Sequence, residues 1–362
     1  MPSKSDIKAE AMRLYALFQE AGAQIVEADL LQPSDLLLDL YGEDIRARAY
    51  VTSDAVLGEQ MLRPDFTVPI VQAHMEDGAE PARYTYMGEV FRKQEAGTGR
   101  ASEYTQVGYE VFDRADPASA DAEVFALFSD VLKDASLQAS IGDIGILIAA
   151  VQGLTTSERR RAALMRHIWR PKRFRALLDR FAGQADMPDG RAELIGALEG
   201  LDVDQIVKGA GPEIGLRSAG EVSARLNALR EDMQVAPIPQ EELNAVSALL
   251  AISADAAQAA GELADIANQF PAIKPAAQGF AKRLNALKQR GVDVEAVAYE
   301  GSYGRTSMEY YDGFVFGFAV NGAAPVASGG RYDALTHVLG QGREIPAVGG
   351  VIRPELLLRV SS

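Results

Sequence analysis

The chain has 362 residues and a formal net charge of −15, from 36 basic and 51 acidic side chains. With 48% hydrophobic and 24% charged residues, it has the composition of a globular protein that can bury a large core and hold more than one structural unit. The absence of cysteine excludes disulfides, thiolate nucleophiles and zinc–thiolate sites, and the acidic balance works against binding nucleic acid phosphates.

The polar opening "MPSKSD" carries no leader signal and no apolar run reaches the length of a bilayer, so a cytoplasmic protein without a membrane partner is expected. "SDIKAEAMRLYALFQEAGA" places Ile7, Met12, Leu14, Leu17 and Phe18 at helical spacing, with Ser5 or Asp6 as cap and Gly22 as stop. From about 45 to 115 the pattern changes to strands: "RARAYVT", "RYTYMGEVFR" and "EYTQVGYEVFD". The last two flank the polar loop "KQEAGTGRAS" and read as a long antiparallel hairpin. Its GxG leads into a strand, whereas a dinucleotide fingerprint needs a helix N-terminus for the pyrophosphate.

From about 118 to 290 the pattern is helical and rich in alanine, beginning with "SADAEVFALFSDVLKDA". Within it "SERRRAALMRHIWRPKRFRALLDR" is strongly basic, either a solvated helix face or a contact for an acidic or phosphate-bearing partner. Strand texture returns at "GVDVEAVAYE", "YYDGFVFGF", "PVASGGRYDAL" and "IPAVGGVIRPELLL". The expected architecture is α+β. A discontinuous domain of residues 1–150 and 285–362 is interrupted by a helical insertion over 151–284.

Two strands have one face cleared by glycine. Phe314, Phe316 and Phe318 share one face of their strand, and Tyr311, Gly313, Val315 and Gly317 share the other. Gln106, Gly108 and Glu110 likewise point one way, with the two polar residues about 13 Å apart. A small ligand lying across both strands accounts for this, with Glu110 taking an amine and Gln106 a heteroatom. A bulge, a neighbouring backbone or a merely exposed polar face would account for it too. Asp65 and Thr67 share a face of "LRPDFTVPI", and Arg92 ends a strand where it could meet a carboxylate or phosphate or form a structural ion pair. His74, His167 and His337 are scattered, and no metal cage or nucleophile–base pair is recognisable. The set suits recognition of a zwitterionic small molecule, with no catalytic residue, metal or cofactor expected.

In order, "LRPDFT", "YMGEVFRKQ", "EYTQVGYEVFD", "YYDGFVF", "SGGRYDAL" and "PAVGGVI" resemble the signature blocks of histidyl-tRNA synthetase and its paralogue, the regulatory subunit of ATP phosphoribosyltransferase. The resemblance covers most of residues 1–150 and 290–358. It implies the class II aminoacyl-tRNA synthetase-like fold, an antiparallel sheet flanked by helices, and a dimer. It also implies a histidine pocket built from Asp65, Thr67, Gln106, Glu110, Tyr311 and Tyr332, with Arg92 matching the arginine that meets the carboxylate and the nucleotide phosphate.

Departures from the synthetase pattern separate the two relatives. Leu356 stands where the synthetase has an ATP-binding arginine, with Arg353 and Pro354 before Glu355 in place of Gly-Leu. Thr306 stands where it has a catalytic arginine, with Arg305 one position away. Asp29 replaces the dimer-interface proline, and Asp312-Gly313 follow the tyrosine pair where the synthetase has an arginine. The chain stops after the last block, where a synthetase would continue into an anticodon-binding domain. The expectation is therefore a non-catalytic regulatory subunit, binding no tRNA. It would form a homodimer within a hetero-oligomer with the short-form ATP phosphoribosyltransferase catalytic subunit, support its activity and mediate feedback inhibition by histidine. A secondary expectation gives the basic helices over 158–180 to partner contact. The alternative is a truncated synthetase-like enzyme that activates an amino acid with ATP.

Overall fold

The computed structural model describes residues 2–35, 48–94, 101–186, 189–211, 216–305 and 310–361. Thr306 and the GxG of the hairpin loop lie outside the described residues, as do the first two residues of "RARAYVT"; of that segment only Val51 and Thr52 are in a strand.

The first helix, Lys4–Glu20, starts earlier than its apolar spacing suggests. Ser3 is the cap: its hydroxyl accepts from the Asp6 backbone N–H, and the Asp6 carboxylate accepts from the Ser3 N–H. Asp6 is thus the reciprocal partner of the cap. The helix buries Ala11, Leu14 and Phe18, and the Phe18 ring lies 5.4 Å from both Tyr109 and Phe128.

Twelve strands are present among the described residues. They are β1 (Gln24–Ile25), β2 (Leu31–Pro33), β3 (Val51–Asp54), β4 (Gly58–Leu62), β5 (Ala82–Phe91), β6 (Glu103–Phe112), β7 (Gln138–Asp143), β8 (Ser253–Asp255), β9 (Ala298–Glu300), β10 (Phe314–Ala319), β11 (Ala327–Arg331) and β12 (Ala347–Ile352). Nine form one sheet in the order β1-β5-β6-β12-β11-β10-β7-β9-β8, and β2-β4-β3 form a small second one. In the large sheet only β1–β5 and β7–β9 run parallel. The expected class, an antiparallel sheet flanked by helices, is therefore what the chain forms. The expected hairpin is β5–β6, paired from Ala82↔Phe112 to Phe91↔Glu103. Two strands lie where only helix was expected. β7 ("QASIGD") and β8 are short and weakly apolar, and it is pairing with β10 and β9 that makes them strands.

The phenylalanine face of β10 belongs to the core. Phe316 meets Phe125 and Phe128 of the helix Pro117–Leu132 at 5.7 and 5.4 Å, and Phe318 meets Phe125 at 5.2 Å. Behind them a buried ionic cluster ties the layers together. Asp121 accepts from Arg283 (2.7 Å) and Arg331 (2.6 Å), Arg283 also reaches Asp143 (2.7 Å), and Arg331 reaches Asp333 (3.0 Å). Paired in this way, the buried charges satisfy one another.

The chain divides into two compact units, Met1–Ala149 with Ala248–Ser362, and Ala150–Ser247. The helical unit is thus shorter than the expected insertion over 151–284. The helices Ala256–Gln269 and Lys274–Gln289 belong with the sheet, the second packing along Pro117–Leu132 and supplying Arg283. In the helical unit Leu198, Val203 and Leu226 form a core cluster, and buried Arg160 pairs with Asp232 at 2.6 Å. No helix among the described residues is long and apolar enough to cross a membrane.

Candidate functional site

Strand alternation puts Gln106, Gly108, Glu110 and Phe112 of β6 on one face. The register places Tyr86 of β5 opposite Gly108, and Gly349 of β12 opposite Glu110. Onto this face the helix Thr67–Asp77 lays His74, whose ring stacks on Phe112 at 4.0 Å while Nδ1 meets the Tyr84 hydroxyl at 3.0 Å. A small, tightly lined recess, partly open to solvent, remains between these elements and the segment around Tyr310.

Asp65, Thr67, Gln106, Glu110, Tyr311 and Tyr332 all line this recess. Tyr310, Gly349 and Val351 contribute to its wall as well. Glu110, in its wall, is buried and accepts hydrogen bonds from the hydroxyls of Tyr86 (2.9 Å) and Tyr332 (2.6 Å). Burial raises its pKa to about 8, against the lowering effect of those two donors. Gln106 Oε1 is buried and has no hydrogen-bond partner among the described residues, so the wall offers an acceptor to a donor on a ligand. Thr67 Oγ1 and the Tyr310 hydroxyl are 3.3 Å apart.

Arg92 has a different place. Its Nε donates to the Pro64 carbonyl at 2.7 Å and its Nη2 reaches Asp65 Oδ2 at 3.4 Å, so it braces the segment that carries Asp65. Of the substituted positions, Arg353 donates to the Pro325 carbonyl (3.1 Å) and the Ser328 hydroxyl (3.2 Å), stitching β12 to β11. Arg305 is buried, and burial lowers its pKa to about 10.

The glycines have another purpose than a bare floor for a ligand. A methyl group at Gly108 would come within 2.0 Å of Tyr86 Cζ, and one at Gly317 within 2.0 Å of the Tyr303 hydroxyl. At Gly313 it would meet the Arg331 side chain at 3.0 Å. Each cleared position is filled by a neighbouring side chain of the protein. Gly349 is the most demanding: its added carbon would lie 1.4 Å from Glu110 Oε2. That glycine makes room for the carboxylate itself.

Residues that sequence reasoning missed hold the site in shape. Tyr86 clasps Glu110 from the opposite strand, a role legible only once the hairpin register is known. Arg331, the last residue of β11 and the neighbour of Tyr332, is held by Asp121 and Asp333. Asp312 accepts from the backbone N–H groups of Asp333 and Ala334, tying the tyrosine pair to the start of the helix Asp333–Leu339. Burial, with Asp333 nearby, raises the Asp312 pKa to about 7.

The family model described as histidyl-tRNA synthetase matches residues 2–231 and 223–357. An ATP phosphoribosyltransferase regulatory subunit of Mesorhizobium japonicum is 33% identical over 95% of both chains. A protein of the same name from Agrobacterium fabrum is 34% identical over 90% of this chain and 89% of its own. Among solved structures, an ATP phosphoribosyltransferase regulatory subunit/histidyl-tRNA synthetase from Bacillus halodurans superposes with a TM-score of 0.69 at 20% identity, covering 100% of this chain and 82% of that one. At that identity the likeness concerns the fold.

Proposed function

The chain belongs to the histidyl-tRNA synthetase family, in its branch of ATP phosphoribosyltransferase regulatory subunits, and from that membership we propose that it senses histidine in the recess around Glu110. Its role is regulatory, in histidine biosynthesis, and its named relatives are regulatory subunits of a transferase. The partner is the catalytic subunit of ATP phosphoribosyltransferase in its short form, which this chain activates and through which it relays feedback inhibition.

The observation that carries the reading is the Glu110 clasp. A buried carboxylate held by two tyrosine hydroxyls, with the unpartnered Gln106 oxygen on the same strand face, is arranged for a small polar molecule with several donors. Histidine's ammonium and imidazole N–H groups supply such donors. For the signal to be allosteric, histidine must bind two states of the complex unequally. The segment carrying Tyr310 and Tyr311 is tied through Asp312 to the helix after Tyr332, so ligand contacts on either tyrosine bear on the same joint.

The chain works as a homodimer within the hetero-oligomer. The apolar side chains of Leu30, Leu31, Val51, Val56 and Leu57 are exposed around the small sheet, with Val56 at 90%, and support an interface there. The protein is cytoplasmic and binds no tRNA.

The test is calorimetry with histidine on the purified chain, alone and with its catalytic subunit, followed by transferase assays with and without histidine. Histidine binding that Glu110→Ala weakens supports the reading. Absence of binding both alone and in the complex ends the sensor proposal. Robust histidine-dependent exchange of pyrophosphate into ATP would favour the ligase alternative.

A further inference from the structure

The helical unit carries a concentration of positive charge that the histidine recess does not use. Residues 157–180 hold nine arginines or lysines against two carboxylates, a net of +7, which leaves −22 for all other residues of a chain at −15. Part of this charge is used internally. Arg160 is buried against Asp232, Arg161 pairs with Glu158 at 3.0 Å, and Arg175 pairs with Asp179 at 2.9 Å. Those pairs take up both carboxylates of the segment.

Arg159, Arg166, Lys172 and Arg173 are exposed and have no ion-pair or hydrogen-bond partner among the described residues. Three of them gather at one turn. Arg166 ends the helix Glu158–Arg166, and Lys172 and Arg173 stand in the first turn of the helix Pro171–Phe181. Burial lowers the pKa of His167, and the charges of Arg170, Arg173 and Arg166 stand close enough to it to lower it further. The start of a helix already carries partial positive charge, and this one has no acidic residue in its first turn and no side-chain cap. Like charges are therefore crowded where the backbone also favours an anion.

We propose that this turn, with Arg166, Lys172 and Arg173 on its surface, is a docking surface for an acidic face of the catalytic subunit. The inference rests on the preceding reading for the identity of the partner. Charge complementarity argues for a compact acidic protein face. The two helices are only about 14 and 17 Å long, so an extended nucleic acid would soon leave the patch and meet a chain whose remaining residues are net acidic.

The experiment measures binding of the catalytic subunit by the full chain and by an Arg166→Glu, Lys172→Glu, Arg173→Glu variant, at low and raised salt, with circular dichroism and thermal midpoint as fold controls. The parent's affinity is expected to fall with salt, and the variant to bind about tenfold more weakly or worse with a flattened salt dependence. If charge reversal unfolds the unit, the neutral variant Arg166→Gln, Arg173→Gln carries the test, and a smaller loss of affinity is expected. Parental affinity in a folded variant overturns the inference and leaves the proposed function standing. Failure of the parent itself to bind the catalytic subunit overturns the proposed function, and the inference falls with it. Retention of an RNA duplex by the parent but not the variant, with subunit binding unchanged, also overturns it.

Discussion

Tyr86 occupies the space that Gly108, its register partner on the hairpin, leaves open, and from there its hydroxyl reaches Glu110 at 2.9 Å. A glycine on one strand thus determines where a hydroxyl on the next strand can point. Gly108→Ala should displace the Tyr86 ring, loosen the clasp and weaken histidine binding. Overpacking of this kind also lowers stability by about 1–3 kcal/mol. Denaturant unfolding and histidine calorimetry on the same variant measure both effects.

Gly349→Ala should be harsher at the site, because its new carbon overlaps the Glu110 carboxylate and also approaches the Tyr109 carbonyl at 2.8 Å. Histidine binding should be abolished while the secondary structure by circular dichroism is retained. Binding at parental affinity would show that the carboxylate takes no part in recognition.

Glu110 gives a pH signature. Its folded pKa, about 8, lies above the ordinary value of 4.5, so the stability tied to its protonated form is complete below about 4.5 and is lost as pH rises through about 8. Glu110→Gln keeps a neutral group there and removes that loss. The thermal midpoint of the variant should gain on the parent as pH rises across this window, and parallel curves would contradict the buried, protonated state. If histidine's ammonium meets the ionised carboxylate, binding near pH 7 should also release a proton, which calorimetry in buffers of different ionisation enthalpy detects.

Gly317 and Tyr303 make a second such pair, outside the recess. Gly317→Ala should destabilise the protein, because its added carbon meets the Tyr303 hydroxyl oxygen at 2.0 Å but ring carbon Cζ only at 3.3 Å. Tyr303→Phe removes the oxygen and should restore much of the stability, giving a non-additive double-mutant cycle in urea unfolding.

Asp121→Ala should leave Arg283 and Arg331 with fewer counter-charges in the interior. Breaking a buried pair in this way costs about 3–5 kcal/mol. Because Arg331 anchors the end of β11 next to Tyr332, histidine affinity in the surviving folded fraction should fall as well.

Alternation along "EYTQVGYEVFD" and "RYTYMGEVFR", with the polar loop between them, was enough to predict the hairpin and the shared face of Gln106 and Glu110, since strand periodicity is a local property of the chain. Asp65, Thr67, Tyr311 and Tyr332, which the ordered motifs imply, line the recess as well. The tertiary structure alone decided what fills the cleared faces. Gly108, Gly313 and Gly317 admit Tyr86, Arg331 and Tyr303, where the bare strands left a ligand, a bulge or a neighbouring backbone open. It also decided that Arg92 pairs with Asp65 and the Pro64 carbonyl, and that the chain rejoins the sheet unit at Ala248. These outcomes depend on contacts between distant segments, such as Tyr332 with Glu110 and Arg283 with Asp121. Periodicity determines which way a side chain faces; packing between remote segments determines what it meets there.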